Sequence, residues 1–440
     1  MTRSVAVMTL GCKTNQFESA AMLEQLTANG YHQVTFEAGA DLVIVNTCTV
    51  TAASDSQSRR LIRRARRFNP SARIVVTGCY AQINPGALQN LPGVILVIGN
   101  EEKKELLRLL TELPAVDSSQ PIIEVADIRA VHNCAPLDLH TFAQRSRAFV
   151  QIQNGCDAFC SYCIIPYARG AGRSVPIEQV VAQVERLEMS GYREIVLTGI
   201  HIGGYGQDLG NNTSLLTLLL ALEKCQFSGR VRLGSIEPTE LPSELRDYLA
   251  QAEWICPHLH IPLQSGDDEI LRRMNRHYDT DFFAELMSRL YQLHPAGAIG
   301  LDVICGFPGE TEEHFSRTYS FLQALPFSHL HVFPFSRRPG TPAATMPHQV
   351  APAVIKERAA RLRSLGEEKL RQYTRRFIGM ELVMLVEGGR RNGQRKGLSE
   401  NYLSLLIEQH QARPGELCLV RAVDLVDGGL AAVRVTSSAS

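Results

Sequence analysis

The stretch QIQNGCDAFCSYCIIPYARG, residues 151–170, determines how the rest of this chain is interpreted. It spaces three cysteines as C-x-x-x-C-x-x-C, at Cys156, Cys160 and Cys163. Three thiolates so close together are able to bind three irons of a cubane cluster and leave the fourth iron open, whereas a cluster that only carries electrons usually has four cysteine ligands. The spacing therefore indicates an iron–sulfur centre with a free coordination position. The alternative is a zinc knuckle or three buried thiols.

Size and composition indicate a globular protein of several domains. A chain of 440 residues with 45% hydrophobic and 20% charged residues is expected to form two or three soluble domains. The start, MTRSVAVMTLGCKT, predicts a strand and not a signal peptide. No stretch approaches the roughly 20 apolar residues that span a bilayer. We expect a cytoplasmic protein without a membrane partner, in which 11 cysteines indicate metal binding ahead of disulfides.

Basic residues are clustered although the chain has no net charge. Lys+Arg and Asp+Glu are 45 each, yet the segment SQSRRLIRRARRF contains six arginines and no acid. A second basic segment lies at 356–396. A clustered basic face on a neutral protein is typical of proteins that bind a phosphate-bearing partner. A solvated helix face is the alternative for each cluster.

The first 125 residues repeat an alternation of strand and helix. Apolar runs at 5–10, 41–47, 72–78 and 94–99 predict buried strands, and 16–29 and 54–68 predict helices. This alternation predicts a doubly wound parallel sheet, in which all strands end at one edge. Cys12, Cys48 and Cys79 each follow such a strand, so we expect them to converge as a second three-cysteine set. Three ordinary core thiols are the alternative.

The middle and the end of the chain predict two different architectures. A polar segment at 112–147 is interpreted as an edge strand plus linker. After it the strand–helix alternation resumes and predicts an open, partial (β/α)6 barrel. The cysteine loop would then lie at the carboxyl end of the first strand of this barrel. The candidate strands are 149–153, 194–199, 231–236, 258–264, 299–306 and 329–335. A charged helix at 353–377 is followed by short runs with glycine turns, which predict a small antiparallel β-barrel that binds nucleic acid.

The cysteine motif, with Tyr162 before its third cysteine and Thr198-Gly199 at the second strand end, resembles that of radical S-adenosylmethionine enzymes. Over nearly the whole chain the sequence resembles the methylthiotransferases. The matching segments, in order, are TLGCKTNQFES, VNTCTVT, VVTGCYAQ, GCDAFCSYCIIPYARG, LTGIHIGGYG, LQSGDDEILRRMNR and GFPGETEEHF. The resemblance implies an N-terminal methylthiotransferase domain (1–125), a radical S-adenosylmethionine domain (140–372) and an RNA-binding TRAM barrel (375–438).

The resemblance also implies the cofactors and their ligands. One [4Fe-4S] cluster on Cys156, Cys160 and Cys163 would reduce S-adenosylmethionine to release a radical. A second [4Fe-4S] cluster, on Cys12, Cys48 and Cys79, would deliver sulfur, and a second S-adenosylmethionine would supply the methyl group. Residues implied near S-adenosylmethionine are Tyr162, Gly199, Glu237 and Gln264. Glu237 is alternatively an ordinary acid in the first turn of a helix.

Within the family, Gly-Cys-Lys-x-Asn-Gln at Cys12 is similar to the branch that methylthiolates carbon 2 of N6-threonylcarbamoyladenosine at position 37 of tRNA. Branches acting on isopentenyladenosine or on a ribosomal-protein aspartate are alternatives. The expected partners are the tRNA anticodon loop and a low-potential electron donor, without DNA. A non-catalytic iron–sulfur protein, or an RNA-binding protein whose cysteines hold zinc, is the alternative from another class.

Other polar residues are open to more than one interpretation. Arg169 and Arg173 follow the cysteine loop and would pair with the carboxylate of the cofactor or of the substrate, or be solvated loop charges. His258 and His260 are interpreted as packing or capping residues. The remaining cysteines, Cys134, Cys225, Cys256, Cys305 and Cys418, have no cluster spacing and are interpreted as inert thiols.

Overall fold

The computed structural model describes residues 3–113, 120–134, 137–142, 145–391 and 393–435, and its N-terminal part is a parallel sheet between helices. The strands are β1 (Arg3–Thr9), β2 (Tyr31–Gln33), β3 (Leu42–Thr47), β4 (Arg73–Gly78), β5 (Val94–Ile98) and β6 (Ile122–Glu124). The helices are α1 (Lys13–Ala28), α2 (Ala52–Phe68), α3 (Cys79–Ile83), α4 (Gly86–Gln89) and α5 (Leu106–Glu112). The strand order is β2-β1-β3-β4-β5-β6, with every pair parallel.

Alternate residues of the central strands enter two separate cores. Ile44 and Val75 pack with α1 on one face, while Val43 and Val76 pack with α2 on the other. Burial on both faces explains why these strands are continuous Val/Ile runs. The predicted doubly wound sheet is confirmed. The short β2 was not predicted, because only three residues of Tyr31–Gln33 pair with β1 and two of them are exposed.

The central part is a curved, open barrel of parallel strands, with one short antiparallel pair beside them. Its strands are β7 (Ala148–Gln151), β8 (Gln153–Asn154), β9 (Arg173–Ser174), β10 (Glu194–Thr198), β11 (Arg230–Leu233), β12 (His258–Gln264), β13 (Ala298–Cys305) and β14 (His329–Pro334). The helices are α6 (Ile165–Arg169), α7 (Ile177–Met189), α8 (Leu215–Lys224), α9 (Ser243–Gln251), α10 (Asp268–Arg273), α11 (Thr280–Leu293) and α12 (Glu312–Ala324).

Two parallel sheets, β7-β10-β11 and β12-β13-β14, make up this barrel. Isolated bridges between Val231 and Ile255 and between Ser235 and His260 join them into one curved wall. The open partial barrel is confirmed. The antiparallel pair β8–β9 was not predicted, because each strand has only two residues and therefore no periodicity.

The C-terminal part is a closed barrel that follows a long helix. Helix α13 (Pro352–Arg375) leads to β15 (Glu381–Arg391), β16 (Gln394–Ser399), β17 (Ser404–Glu408), β18 (Leu417–Val426) and β19 (Gly429–Arg434). The barrel closes in the order β15-β16-β17-β19-β18, with antiparallel pairs except for β17–β19, which is parallel. The sequence predicts C-terminal strands at 381–387, 402–408, 416–425 and 430–435. Strand β16, QRKGLS, is not among them because its polar sequence shows no alternation. Among the described residues, no helix has the length and hydrophobicity needed to cross a membrane.

A buried charge cluster attaches the C-terminal barrel to the lower rim of the open barrel, where the strands begin. Glu194 is fully buried and pairs with Arg230 and Arg232. Burial alone would raise the pKa of the Glu194 carboxyl, but the two guanidinium groups hold it below its usual value. Arg230 donates to the Val383 and Leu398 carbonyls, and Arg232 donates to the Ser399 carbonyl. The cluster therefore connects the two barrels.

We predict that Glu194→Gln destabilises the chain by about 3–5 kcal/mol at neutral pH, because two buried arginines lose their counter-charge. Denaturant unfolding measures the effect. In the control Glu381→Gln, which removes an exposed ion pair with Arg421, the expected loss is under about 1 kcal/mol. Equal losses in the two variants would contradict the structural role of Glu194.

Candidate functional site

The loop that carries Cys156, Cys160 and Cys163 follows β8 at the mouth of the open barrel. Gly155, at its start, has φ +76°, and a Cβ there would lie 1.8 Å from the Ala171 carbonyl oxygen. Only glycine fits this turn. The Cys156 amide donates to the Gly170 carbonyl (3.0 Å), which closes the loop at its base. Ser161 donates through its hydroxyl to the Arg273 carbonyl (2.8 Å), so the loop is also held against α10.

Nitrogen donors point at the sulfur atoms of this loop. Arg276 Nη1 lies 3.3 Å from Cys160 Sγ, and the Ala158 amide lies 3.4 Å from Cys156 Sγ. His201 Nδ1 lies 3.5 Å from Cys156 Sγ. Burial raises the pKa of the Cys163 thiol to about 12, and a bound metal would stabilise the thiolate form of that sulfur. Donors aimed at sulfur stabilise thiolate ligands, so this loop fits an iron–sulfur cluster.

Cys12, Cys48 and Cys79 lie together at the carboxyl edge of the N-terminal sheet. Thr9 pairs with Asn46, and Thr47 pairs with Gly78, so the three cysteines follow adjacent strand ends. A Cβ at Gly11 would lie 2.9 Å from Cys48 Sγ. Burial raises the pKa of the Cys48 thiol to about 11, with further contributions from Cys79 and Cys12. This edge could hold a second three-thiolate cluster.

Asn15 joins the loops that carry two of these cysteines. Its Nδ2 donates to the Leu10 carbonyl (2.7 Å) and to the Thr47 carbonyl (3.0 Å). Its Oδ1 accepts from Arg169 Nη2 at 2.5 Å. One amide therefore connects the strand ends of the sheet with the cysteine loop of the open barrel.

Arg169 is the centre of a buried network between the two cysteine sets. It is fully buried and pairs with Glu18 (2.8 Å), which also pairs with Lys103. Asn100 donates to the Ala168 carbonyl (2.7 Å) from the other side and approaches Cys79 Sγ. The interpretation of Arg169 as a solvated loop charge is wrong, and its carboxylate partner is a residue of this chain.

Arg173 is likewise buried, so the alternative of a solvated loop charge is wrong for this residue too. It donates to the backbone carbonyls of Ala171 (3.0 Å) and Arg169 (3.1 Å). These contacts fix the chain between α6 and β9. Arg173 therefore shapes the base of the cysteine loop.

Two cavities adjoin the cysteine loop. The first, of about 490 Å³, is lined by Cys160, His201, Glu237 and Arg276 among others. The second, of about 210 Å³, lies between the open barrel and the N-terminal sheet, and its lining residues are Val50, Thr51, Tyr162, Cys163, Ile164, Ile165, Gln264, Asp302, Ile304, Phe333, Pro334, Phe335 and Ser336. Both therefore offer space for a ligand beside the cysteines.

The structure separates the residues that the resemblance places near S-adenosylmethionine. Glu237 lines the first cavity, where Arg276 pairs with it. Tyr162 and Gln264 line the second cavity, and Gln264 has a left-handed backbone at φ +68°. Gly199 lines neither, and a Cβ there would lie 2.9 Å from the Gln153 carbonyl oxygen. Gly199 is thus a close-packing position.

Sequence reasoning missed Arg276, His201, Asn15 and Glu18. Arg276 ends the segment LQSGDDEILRRMNR, and Asn15 and Glu18 lie in TLGCKTNQFES, so their presence in matching segments was the available signal. Their partners are far away in the chain: Glu18 and Arg169 are separated by 151 positions. No local pattern reports such pairing.

Two protein families and several named proteins are similar in sequence to this chain. Residues 4–99 match the uncharacterized protein family UPF0004, and residues 150–322 match the radical SAM superfamily. The chain is 40% identical to the threonylcarbamoyladenosine tRNA methylthiotransferase MtaB of Bacillus subtilis, over 95% of this chain and 93% of that protein. It is 39% identical to the protein of the same name from Aquifex aeolicus, over 92% and 97% of the two chains.

A more distant relative and a solved structure complete the comparison. The tRNA-2-methylthio-N(6)-dimethylallyladenosine synthase of Clostridium botulinum is 32% identical over 91% of this chain and 90% of that protein. The radical S-adenosylmethionine methyltransferase TsrM from Kitasatospora setae superposes with a TM-score of 0.57, at 18% identity, over 78% and 77% of the two chains. At that identity the likeness to TsrM concerns the fold alone.

We predict that Glu18→Gln destabilises the chain in a pH-dependent way. Burial alone would raise the pKa of the Glu18 carboxyl, but Arg169 and Lys103 lower it to about 2. A folded-state pKa below the unfolded value of about 4.3 gives stability that is present at neutral pH and is lost as pH falls toward 2. The difference in unfolding free energy between wild type and variant should therefore shrink below about pH 4.5.

Urea unfolding between pH 7 and pH 3 measures this difference. The control Glu357→Gln, at an exposed position of α13, is expected to change stability by less than about 0.5 kcal/mol throughout. A wild-type–to–Glu18→Gln difference that stays constant with pH would contradict the ionised state of Glu18.

Proposed function

Because this chain belongs to the methylthiotransferase family of radical S-adenosylmethionine enzymes, we propose that it transfers a methylthio group to carbon 2 of N6-threonylcarbamoyladenosine at position 37 of tRNA. The assignment of this substrate rests on the similarity of the chain to five relatives named threonylcarbamoyladenosine tRNA methylthiotransferase, at 35–40% identity over most of both chains. The relative named for dimethylallyladenosine is less similar, at 32%. We also propose the domain boundaries 1–125, 140–372 and 375–438.

We propose that Cys156, Cys160 and Cys163 hold one [4Fe-4S] cluster, and that Cys12, Cys48 and Cys79 hold a second. When bound, the first supplies an electron for cleaving S-adenosylmethionine and the second supplies sulfur. The nitrogen donors aimed at Cys156 and Cys160 support the first assignment. The convergence of three strand ends on one edge supports the second.

We assign S-adenosylmethionine to the first cavity and the substrate base to the second. Cys160 and Glu237 line the first cavity, and the Glu237 carboxylate is an acceptor for a cationic or hydroxyl-bearing ligand. The second cavity is lined by Cys163 on one side and by Val50 and Thr51, close to Cys48, on the other. A base there lies between the two cysteine sets and against mainly apolar side chains, which disfavour water beside a reactive intermediate.

Helix α2 supports tRNA as the macromolecular partner. Ile62 and Ala65 are buried against the sheet, which turns Arg60, Arg63 and Arg67 to the exposed face. Such a face attracts phosphate groups. We further propose a cytoplasmic location and a low-potential electron donor, which radical chemistry of this type requires.

We predict that anaerobically reconstituted protein contains about eight irons per chain, and that Cys12→Ala and Cys160→Ala each contain about four. Iron and acid-labile sulfide analysis measures this. Cys225→Ala, a matched thiol outside both sets, should keep all the iron. Zinc without sulfide would contradict the assignment, and four irons in both wild type and Cys12→Ala would contradict the second cluster.

Nucleoside mass spectrometry of tRNA tests the proposed reaction. A deletion strain is expected to lose the methylthio mark on threonylcarbamoyladenosine and to regain it with the wild-type chain but not with Cys160→Ala. Loss of the mark on isopentenyladenosine instead would assign the chain to the other tRNA reaction. An unchanged nucleoside profile would contradict tRNA as substrate.

We predict salt-sensitive tRNA binding that depends on α2. Neutralising about six phosphates gives a log–log slope of roughly −4 to −5, and Arg60→Gln, Arg63→Gln and Arg67→Gln together should make it shallower by about 2–3. Anisotropy titrations at several salt concentrations measure the slope. Lys224→Gln with Arg289→Gln, exposed on α8 and α11, is the control. An unchanged slope in the α2 variant would show that this helix does not contact the RNA phosphates.

A further inference from the structure

Two exposed apolar side chains face the second cavity, one from each of the two domains that form it. Val50 belongs to the loop between β3 and α2 of the N-terminal domain, and Phe333 lies on β14 of the open barrel. Both residues line the cavity, yet Val50 is 49% exposed and Phe333 is 42% exposed. Apolar surface on both walls of this cavity is therefore uncovered.

Polar contacts fix the distance between these two walls. The Ala52 amide donates to Ser336 Oγ (3.0 Å). The buried Arg338 guanidinium donates to Thr49 Oγ1 (2.7 Å) and to Asp55 Oδ2 (2.7 Å). Thr49 and Ala52 lie on either side of the exposed valine loop. The cavity is therefore a preformed gap, and a ligand that fills it does not first have to draw the walls together.

The barrel wall of the cavity combines an apolar surface with a carboxylate. Asp302 and Ile304 are two positions apart on β13, so both point to the same face, and both line the cavity. Phe333 is the register partner of Ile304 on β14. His260 Nε2 lies 2.8 Å from Asp302 Oδ1 and fixes the position of the carboxylate. An acceptor group is thus held beside the exposed ring.

Gln264 supplies a second polar group to the same cavity. It ends β12 at an irregularity in the pairing with β13, and its φ of +68° is a left-handed conformation that few residues other than glycine adopt. Backbone strain of this kind is concentrated at ligand sites. Among the described residues, its carboxamide forms no hydrogen bond. Because Gln264 lines the cavity, this carboxamide is available to a ligand there.

A nucleobase has the shape and chemistry that this arrangement requires. Its two faces stack on aromatic and aliphatic side chains, and its edge carries hydrogen-bond donors and acceptors. A glutamine carboxamide is complementary to the edge of adenine. A carboxylate accepts the one hydrogen that an N6-substituted adenine keeps on its exocyclic nitrogen, whereas it repels the carbonyl oxygen of guanine. The combination of Gln264 and Asp302 therefore favours adenine.

We propose that the target adenine of the tRNA stacks between Phe333 and Val50. Its polar edge binds Gln264 and Asp302. This inference rests on the proposed function and names the residues that hold its substrate base. To enter the cavity, the target nucleotide leaves the stack of the anticodon loop. Since each domain supplies one wall, the base is held where the two domains meet.

Fluorescent anticodon stem-loops test the inference with full-length, iron-loaded protein under anaerobic conditions. Each stem-loop carries threonylcarbamoyladenosine at the target position and 2-aminopurine directly 3′ of it. The emission of 2-aminopurine is quenched when a neighbouring base stacks on it. Withdrawal of the target base into the cavity of the wild-type protein should therefore raise this emission.

Variants of the barrel wall show whether the ring holds the base. Phe333→Ala is expected to bind the stem-loop about 5- to 150-fold more weakly, because the base–aromatic contact is lost. It should also lose most of the rise in emission. Phe333→Tyr keeps a ring and should bind within about 2-fold of wild type. The control Phe282→Ala removes an equally exposed ring from α11 and should match wild type in both measurements.

Each outcome supports or overturns the inference. Unchanged emission with the wild-type protein would overturn it without any variant, so the test stands even if Phe333→Ala loses iron. Wild-type binding by Phe333→Ala would overturn it as well, as would an equal loss in Phe282→Ala.

Two further measurements separate this inference from its neighbours. In equilibrium dialysis, Phe333→Ala should bind S-adenosylmethionine as tightly as wild type, and weaker cofactor binding would assign this wall to the cofactor and overturn the inference. Product formation by the wild-type protein, followed by mass spectrometry, tests the proposed function. A protein that makes product without a rise in emission refutes only the stacking site.

Discussion

The ion pair between Arg169 and Glu18 is the contact on which the arrangement of the two cysteine sets depends. Arg169 ends the short helix after Cys163, and Glu18 lies in the helix that begins after Cys12. Both side chains are buried, and Lys103 adds a second positive charge. A buried charge without its partner costs several kcal/mol, so the two helices are not free to separate independently. The two sets of cysteine sulfur atoms are therefore held in fixed positions relative to each other.

The same constraint explains why several charged residues are buried inside this molecule. Two buried ion networks, around Glu18 and around Glu194, hold the open barrel to the N-terminal sheet and to the C-terminal barrel. Apolar contacts alone would permit sliding, whereas charge-assisted hydrogen bonds fix orientation.

Periodicity in the sequence was sufficient to predict most of the fold. The bounds of β3, β4 and β12 were predicted to within one or two residues, because burial determines which residues these strands contain. Strands β2, β8, β9 and β16 were not predicted because they are short or polar. In the site, cysteine spacing predicted the first thiol set and the strand ends predicted the second, whereas neither reading of Arg169 named its partner Glu18, which is distant in sequence. Long-range electrostatic pairing leaves no local pattern.

The attachment of the C-terminal barrel to the strand starts has a geometric consequence. Arg230 and Arg232 hold that barrel at the end of the open barrel opposite the cysteine loop. Strand β12 has seven residues, so the two ends are separated by about 23 Å. A ligand that contacts the C-terminal barrel and the cysteine loop at the same time must therefore span at least this distance.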